Sequence, residues 1–194
     1  MLLDAALHNL ISVFFTLLLL WASIHKFSDR LQFQGILAAY RLLPSSLLPL
    51  AALAIPLFEL GLGLAWITGL QSVFVAMATA ALLAVYSGAM GFNMLRGNTE
   101  IDCGCGLSSS KHKTSGYQKL SAGLLLRNAV LIILSLCAAL PSNDRMLGLI
   151  DYASMALACA VLFLIYAALN QLLANKQLID SWRRPLLEEG NSNG

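Results

Sequence analysis

The chain has 194 residues, of which 12 are Lys or Arg and 10 are Asp or Glu, so charged residues make up 11% where a soluble domain carries about 25%. Hydrophobic residues reach 58% and the mean hydropathy is +0.74, a composition that would leave large apolar areas wet in any water-soluble fold. A soluble globular enzyme and a disordered chain are excluded. So is a nucleic-acid binder, since the net charge is only +2 and no basic patch stands beside stacking aromatics. What remains is an all-α, polytopic membrane helix bundle.

The run Ala5 to Ile24 carries no Asp, Glu, Lys or Arg and is long enough, at about 1.5 Å per residue, to cross a hydrocarbon layer of about 30 Å. It predicts a first span near 5–25. The only charged side chain before it is Asp4, so it lacks the basic start of a cleaved signal peptide and reads as a retained helix. His25 and Lys26 close it at the surface, where a lysine stem can snorkel. Asp29 and Gln32 then resemble a capping box opening a short interfacial helix, along which Leu31, Phe33, Ile36, Leu37, Tyr40 and Leu43 face the membrane until Pro44 ends it.

From Leu42 to Leu95 one charge, Glu59, interrupts a stretch too long for a single crossing. It must fold back, and Thr68-Gly69-Leu70-Gln71-Ser72 is the cheapest place to turn, giving spans near 47–67 and 73–95. A fourth is expected near 122–140, closed by Pro141-Ser142-Asn143, and a fifth near 149–172. The bundle thus occupies 1–175, with about five transmembrane helices plus the interfacial one, and 176–194 reads as a short cytoplasmic tail that is disordered after Trp182. No internal repeat is evident. With five spans, every Lys and Arg except Arg145 falls on one face, and the positive-inside rule makes that face cytoplasmic. The N-terminus is then outside, and the C-terminus, the 26–46 segment and the 96–121 loop are inside.

That last loop carries Glu100-Ile101-Asp102-Cys103-Gly104-Cys105-Gly106. Two cysteines separated by one glycine can bridge only across a sharp turn, which Gly104 and Gly106 permit, and such a bridge is strained. Strain favours exchange with the thiols of another protein over permanent bracing. Lys111, Lys113 and His112 favour the attacking thiolate, while Asp102 opposes it. Competing readings are a structural loop staple, a zinc site formed by Asp102, Cys103, Cys105 and His112, and unreactive loop thiols. The spacing falls short of the usual C-x2-C and no second cysteine pair follows, so no metal is expected. Cys137 and Cys159, each within an apolar helix, read as small hydrophobes.

Charges within the spans form a second constellation. Glu59 lies in the middle third of its helix, where an unpaired carboxylate costs at least ~2.5 kcal/mol, so it is neutral, paired or facing a polar cavity. Pro56, one turn earlier, frees backbone carbonyls beside it. Arg127, beside Asn128 about two turns into the fourth span, reaches towards Glu59 or the cysteine loop, or simply snorkels. Asp151 reads as interfacial.

Lys26 after an apolar helix, Tyr40-Arg41-Leu42-Leu43-Pro44, Pro56 with Glu59, Asp102-Cys103-Gly104-Cys105-Gly106 and Arg127-Asn128 occur in this order over about Ala5 to Leu140. Taken together they resemble the MauE family of methylamine-utilisation membrane proteins, related to DoxX-type redox-associated proteins. Family members usually have Cys-Gly-Cys-Phe-Gly, whereas here Gly106 follows Cys105 directly. The resemblance implies a protein of the bacterial inner membrane. Its role would be disulfide formation or maturation of an exported cysteine-rich client, typically the small subunit of methylamine dehydrogenase, beside a thioredoxin-like partner.

The expected function is therefore a thiol–disulfide oxidoreductase or its accessory subunit. Cys103, Cys105, Glu59 and Arg127 are the catalytic candidates, and Lys26, Arg41, Asn128 and Asp102 the candidates for substrate or quinone binding. The client folds outside while the bases place the cysteine loop inside. Either the bundle relays electrons, through a quinone near Glu59 and Arg127, or the loop dips inward. The alternatives are a non-catalytic scaffold for the thioredoxin-like partner and a small-solute transporter built around Glu59, the latter without the repeat symmetry of that class.

Overall fold

Apolar runs with internally satisfied backbone can cross lipid only as helices or closed barrels, and this chain takes the helical solution. The computed structural model describes residues 4–68, 72–97, 122–141, 143 and 148–192, with backbone alone beyond 172. The helices are α1 (Ala5–Ser28), α2 (Arg30–Tyr40), α3 (Leu48–Thr68), α4 (Ser72–Leu95), α5 (Ala122–Cys137) and α6 (Leu149–Ser192), with one 3₁₀ turn, Ser45–Leu47, leading into α3. No strand occurs among the described residues. α1, α3, α4 and the 149–172 part of α6 are long and apolar enough to cross a membrane, and α5 is a shorter apolar helix.

Asp4 begins α1 by accepting the Ala6 N–H at 2.8 Å. At the other end the expected capping box is not made: Asp29 stands at the start of α2, but its side chain caps nothing. α2 ends instead on Arg41, whose backbone takes the left-handed conformation at φ 51°, and the chain turns into Pro44. α5 stops at Cys137 and unwinds through 138–140, short of its expected end. α6 does the opposite. Where a disordered tail was expected, the helix continues to Ser192, because Leu, Ala, Gln, Lys and Glu sustain helix as well beyond the hydrocarbon as within it.

α1 packs mainly on α3, and α4 on α5. Leu20 lies against Gly63, and Phe15 stacks on Trp66 with centroids 5.4 Å apart, so α1 and α3 run antiparallel. Trp66 Nε1 donates to Thr79 Oγ1 at 3.0 Å, which satisfies the indole inside the core and ties α3 to α4. Ser135 donates to the Ala76 carbonyl at 2.7 Å, and Leu125 touches the Gly91 position, so α4 and α5 also run antiparallel. The half of the bundle around Phe14, Phe15, Leu19 and Trp66 is an apolar core. Trp21, Leu50, Leu64 and Val85 face outwards, as lipid-facing positions should.

Candidate functional site

The other half of the bundle, towards the end of α1, the start of α3 and the end of α4, buries the charges. Lys26 and Glu59 are brought together as a salt bridge with 4% and 1% of their surfaces exposed. Lys26 Nζ donates to Glu59 Oε1, and the same oxygen accepts the Tyr86 hydroxyl at 2.6 Å. The ammonium also lies 3.3 Å from that hydroxyl and within 5.3 Å of the Phe33 ring centroid and 4.8 Å of the Tyr86 ring centroid. Positive charge over aromatic faces is attractive, more so when water is excluded.

Helix geometry explains the meeting. Ser23 donates to the Pro56 carbonyl at 2.9 Å and Leu20 meets Gly63, which puts the level opposite Lys26 about one turn short of Glu59. Side chains on a helix lean towards its N-terminus, so the Lys26 stem carries its ammonium inward to the carboxylate. Lys26 is therefore not the snorkelling residue that its place at the end of a span implied. Glu59 Oε2 remains buried with no hydrogen-bond partner among the described residues.

Of the two partners that its sequence position offered, Arg127 does not take Glu59, and the cysteine loop lies outside the described residues. Glu59 binds Lys26 and Tyr86, whereas the buried Arg127 guanidinium donates to Asn170 Oδ1 at 2.6 Å and to Asn128 Oδ1 at 3.2 Å, with Tyr166 5.5 Å from Cζ to centroid. The α4–α5 register places Arg127 within about one turn of the level of Tyr86. Two polar clusters thus share one depth, one joining α1, α3 and α4 and the other joining α5 to α6. Arg41 is exposed at the mouth of an open hollow of about 440 Å³ shared with Asn93, Arg96 and Gly97.

Asp102, Cys103 and Cys105 lie outside the described residues, between the end of α4 and the start of α5. Cys137 is a half-buried and Cys159 a buried free thiol. The residues that sequence reasoning missed are Tyr86 and Asn170. The available signal was a hydrogen-bonding side chain within an otherwise apolar span, the criterion that had singled out Glu59. Beside Lys26 and Tyr86 a cavity of about 270 Å³ opens between α2, α3 and α4, its walls otherwise dominated by apolar side chains such as Phe33, Ile36, Leu37 and Met90.

The sequence model of the family described as methylamine utilisation protein MauE matches residues 4–141, a stretch that holds the Lys26–Glu59–Tyr86 cluster, Arg127 and the Cys-Gly-Cys segment. The chain belongs to the MauE family. It is 34% identical over 166 residues to the methylamine utilization protein MauE of Paracoccus denitrificans, covering 82% of this chain and 83% of that one. With the MauE of Methylophilus methylotrophus it shares 33% over 186 residues, covering 94% and 92%. No solved structure matches the chain.

Proposed function

We propose that this MauE-family chain is a membrane thiol–disulfide redox protein that forms or processes disulfides in an exported, cysteine-rich client. The observation that carries the reading is Cys103-Gly104-Cys105, lying within the family-matched stretch and joined to the ends of α4 and α5 that flank the buried charges. A client thiolate attacks the Cys103–Cys105 disulfide, a mixed disulfide forms, and the second client thiol displaces it. The client gains a disulfide, and the pair leaves as a dithiol holding the two electrons and two protons given up. Arg127 supplies positive charge that stabilises a thiolate, Lys26 donates a hydrogen bond to a carrier, and Glu59 carries a proton. In this reading, which extends the resemblance to the MauE family, the client is the small subunit of methylamine dehydrogenase, the partner a thioredoxin-like protein and the location the bacterial inner membrane.

The test is replacement of each cysteine followed by thiol trapping in cells. Cys103→Ser and Cys105→Ser are expected to abolish client maturation, and one of them to accumulate a mixed disulfide, while Cys137→Ala and Cys159→Ala cost only packing. Normal maturation in either loop variant removes the redox reading. A Cys103–Cys105 bond that never opens favours a scaffold.

A further inference from the structure

Three features of the α1–α4 half go beyond the cysteine chemistry. The first is the cavity beneath α2, whose volume of about 270 Å³ sits at the lower edge of ordinary ligand sites and suits one substituted ring better than a whole lipid. The second is its polar end. Among its walls Lys26 offers the charged donor, and of the three ammonium N–H groups the contacts to Glu59 and Tyr86 occupy two. The third is charge balance. Lys26 is already matched by Glu59, so an anionic ligand such as a fatty-acid carboxylate would bring an uncompensated charge into a dry site, and an ammonium would be repelled by Lys26. A plain acyl chain would leave the ammonium without an added acceptor. The occupant that satisfies all three is neutral, flat and lipid-soluble, with a carbonyl at one end.

We propose that this cavity binds the head group of a lipid-soluble quinone, one carbonyl of which accepts a hydrogen bond from Lys26 while Phe33 and Tyr40 pack on the ring and the tail leaves past the exposed Val85 towards lipid. Glu59 is not on the wall; it stands behind Lys26 and Tyr86, with its second oxygen buried and without a hydrogen-bond partner among the described residues. The choice of a redox-active occupant rests on the thiol–disulfide reading above. There the quinone takes two electrons and two protons from the Cys103/Cys105 dithiol, becoming the quinol as the dithiol becomes the disulfide.

The experiment is equilibrium binding of decylubiquinone to the purified full-length protein in phosphatidylcholine nanodiscs, with decylbenzene and oleate as competitors. Saturable binding of one decylubiquinone per chain is expected, unaffected by decylbenzene or oleate. Ala89→Phe, which fills the cavity and leaves the ion pair intact, and Lys26→Met, which removes the donor, should each weaken binding at least tenfold. If either variant fails to accumulate, the other decides. Absence of binding, equal competition by decylbenzene or oleate, or undiminished binding in the folded variants overturns the assignment. The measurement involves no thiol chemistry, so a negative result here leaves the cysteine reading to its own test.

Discussion

A buried ion pair is a costly device, and what it does is best separated by comparing single and double replacements. Removing one partner leaves a charge stranded in a low-dielectric site, which costs about 3–5 kcal/mol, whereas replacing both with apolar residues of similar size is often neutral. Lys26→Met and Glu59→Met should therefore each lower stability by about 3 kcal/mol, read as unfolding midpoints in detergent, and the double variant should recover most of that loss. Client maturation should stay lost in the double variant. If maturation returns with stability, the pair is a structural clamp and Glu59 carries no proton. If the double variant is as unstable as the singles, Lys26 and Glu59 are stabilised by other contacts. The sequence marked Glu59 as a residue in need of a partner, but it could not supply the partner. Lys26 lies 33 residues away, and the pairing depends on how α1 and α3 slide along one another, which no periodicity encodes. Arg127 sits on the right level and still bonds elsewhere, to Asn170, 43 residues on.

At the scale of elements, α3 holds two glycines with opposite surroundings. A Cβ at Gly63 would lie 3.2 Å from the Leu20 side chain and 3.4 Å from Leu19, while one at Gly61 would meet nothing within 4 Å. Gly63 is where α1 and α3 come close, the small-residue contact that membrane helices use in place of a hydrophobic driving force. Gly63→Leu should cost about 1–3 kcal/mol through overpacking, and Gly61→Leu, at an exposed position of the same helix, should be close to neutral. Equal effects would mean that the α1–α3 contact does not limit stability. The spans themselves were legible, because charge-free runs report directly where lipid is tolerated. Helix ends were less so: hydropathy marks where a helix leaves hydrocarbon, not where its hydrogen bonding stops, hence the continuation of α6 to Ser192. The Asp29 capping box failed because α1 and α2 abut with a single residue between them, and Asp29 there donates its N–H to the His25 carbonyl while its own carbonyl accepts from Phe33. α2 read as a helix lying on the membrane surface; it also roofs a cavity, with Phe33 and Tyr40 buried beneath it, and only tertiary packing could reveal that.

At the scale of the whole molecule, the buried charges gather in one half of the bundle, and Arg41 and Arg96 line a hollow at that end. α1 runs antiparallel to α3, and α4 antiparallel to both α3 and α5. If α5 and α6 continue this alternation across the membrane, the chain makes five crossings and its termini lie on opposite sides. α5 is the step on which it turns. Its 16 residues span about 24 Å, less than the hydrocarbon thickness of about 30 Å, so it crosses only if the turn at 138–140 and the start of the helix lie within the layer or the bilayer thins locally. Eleven of the 12 Lys and Arg residues then share the face of the C-terminus, which the positive-inside rule assigns to the cytoplasm. Reporter fusions after Gly194 and within 141–147 should accordingly give opposite signals, cytoplasmic for the first and external for the second. Matching signals would mean that α6 does not cross, whereas reversed signals, external after Gly194 and cytoplasmic within 141–147, would mean that α5 does not cross.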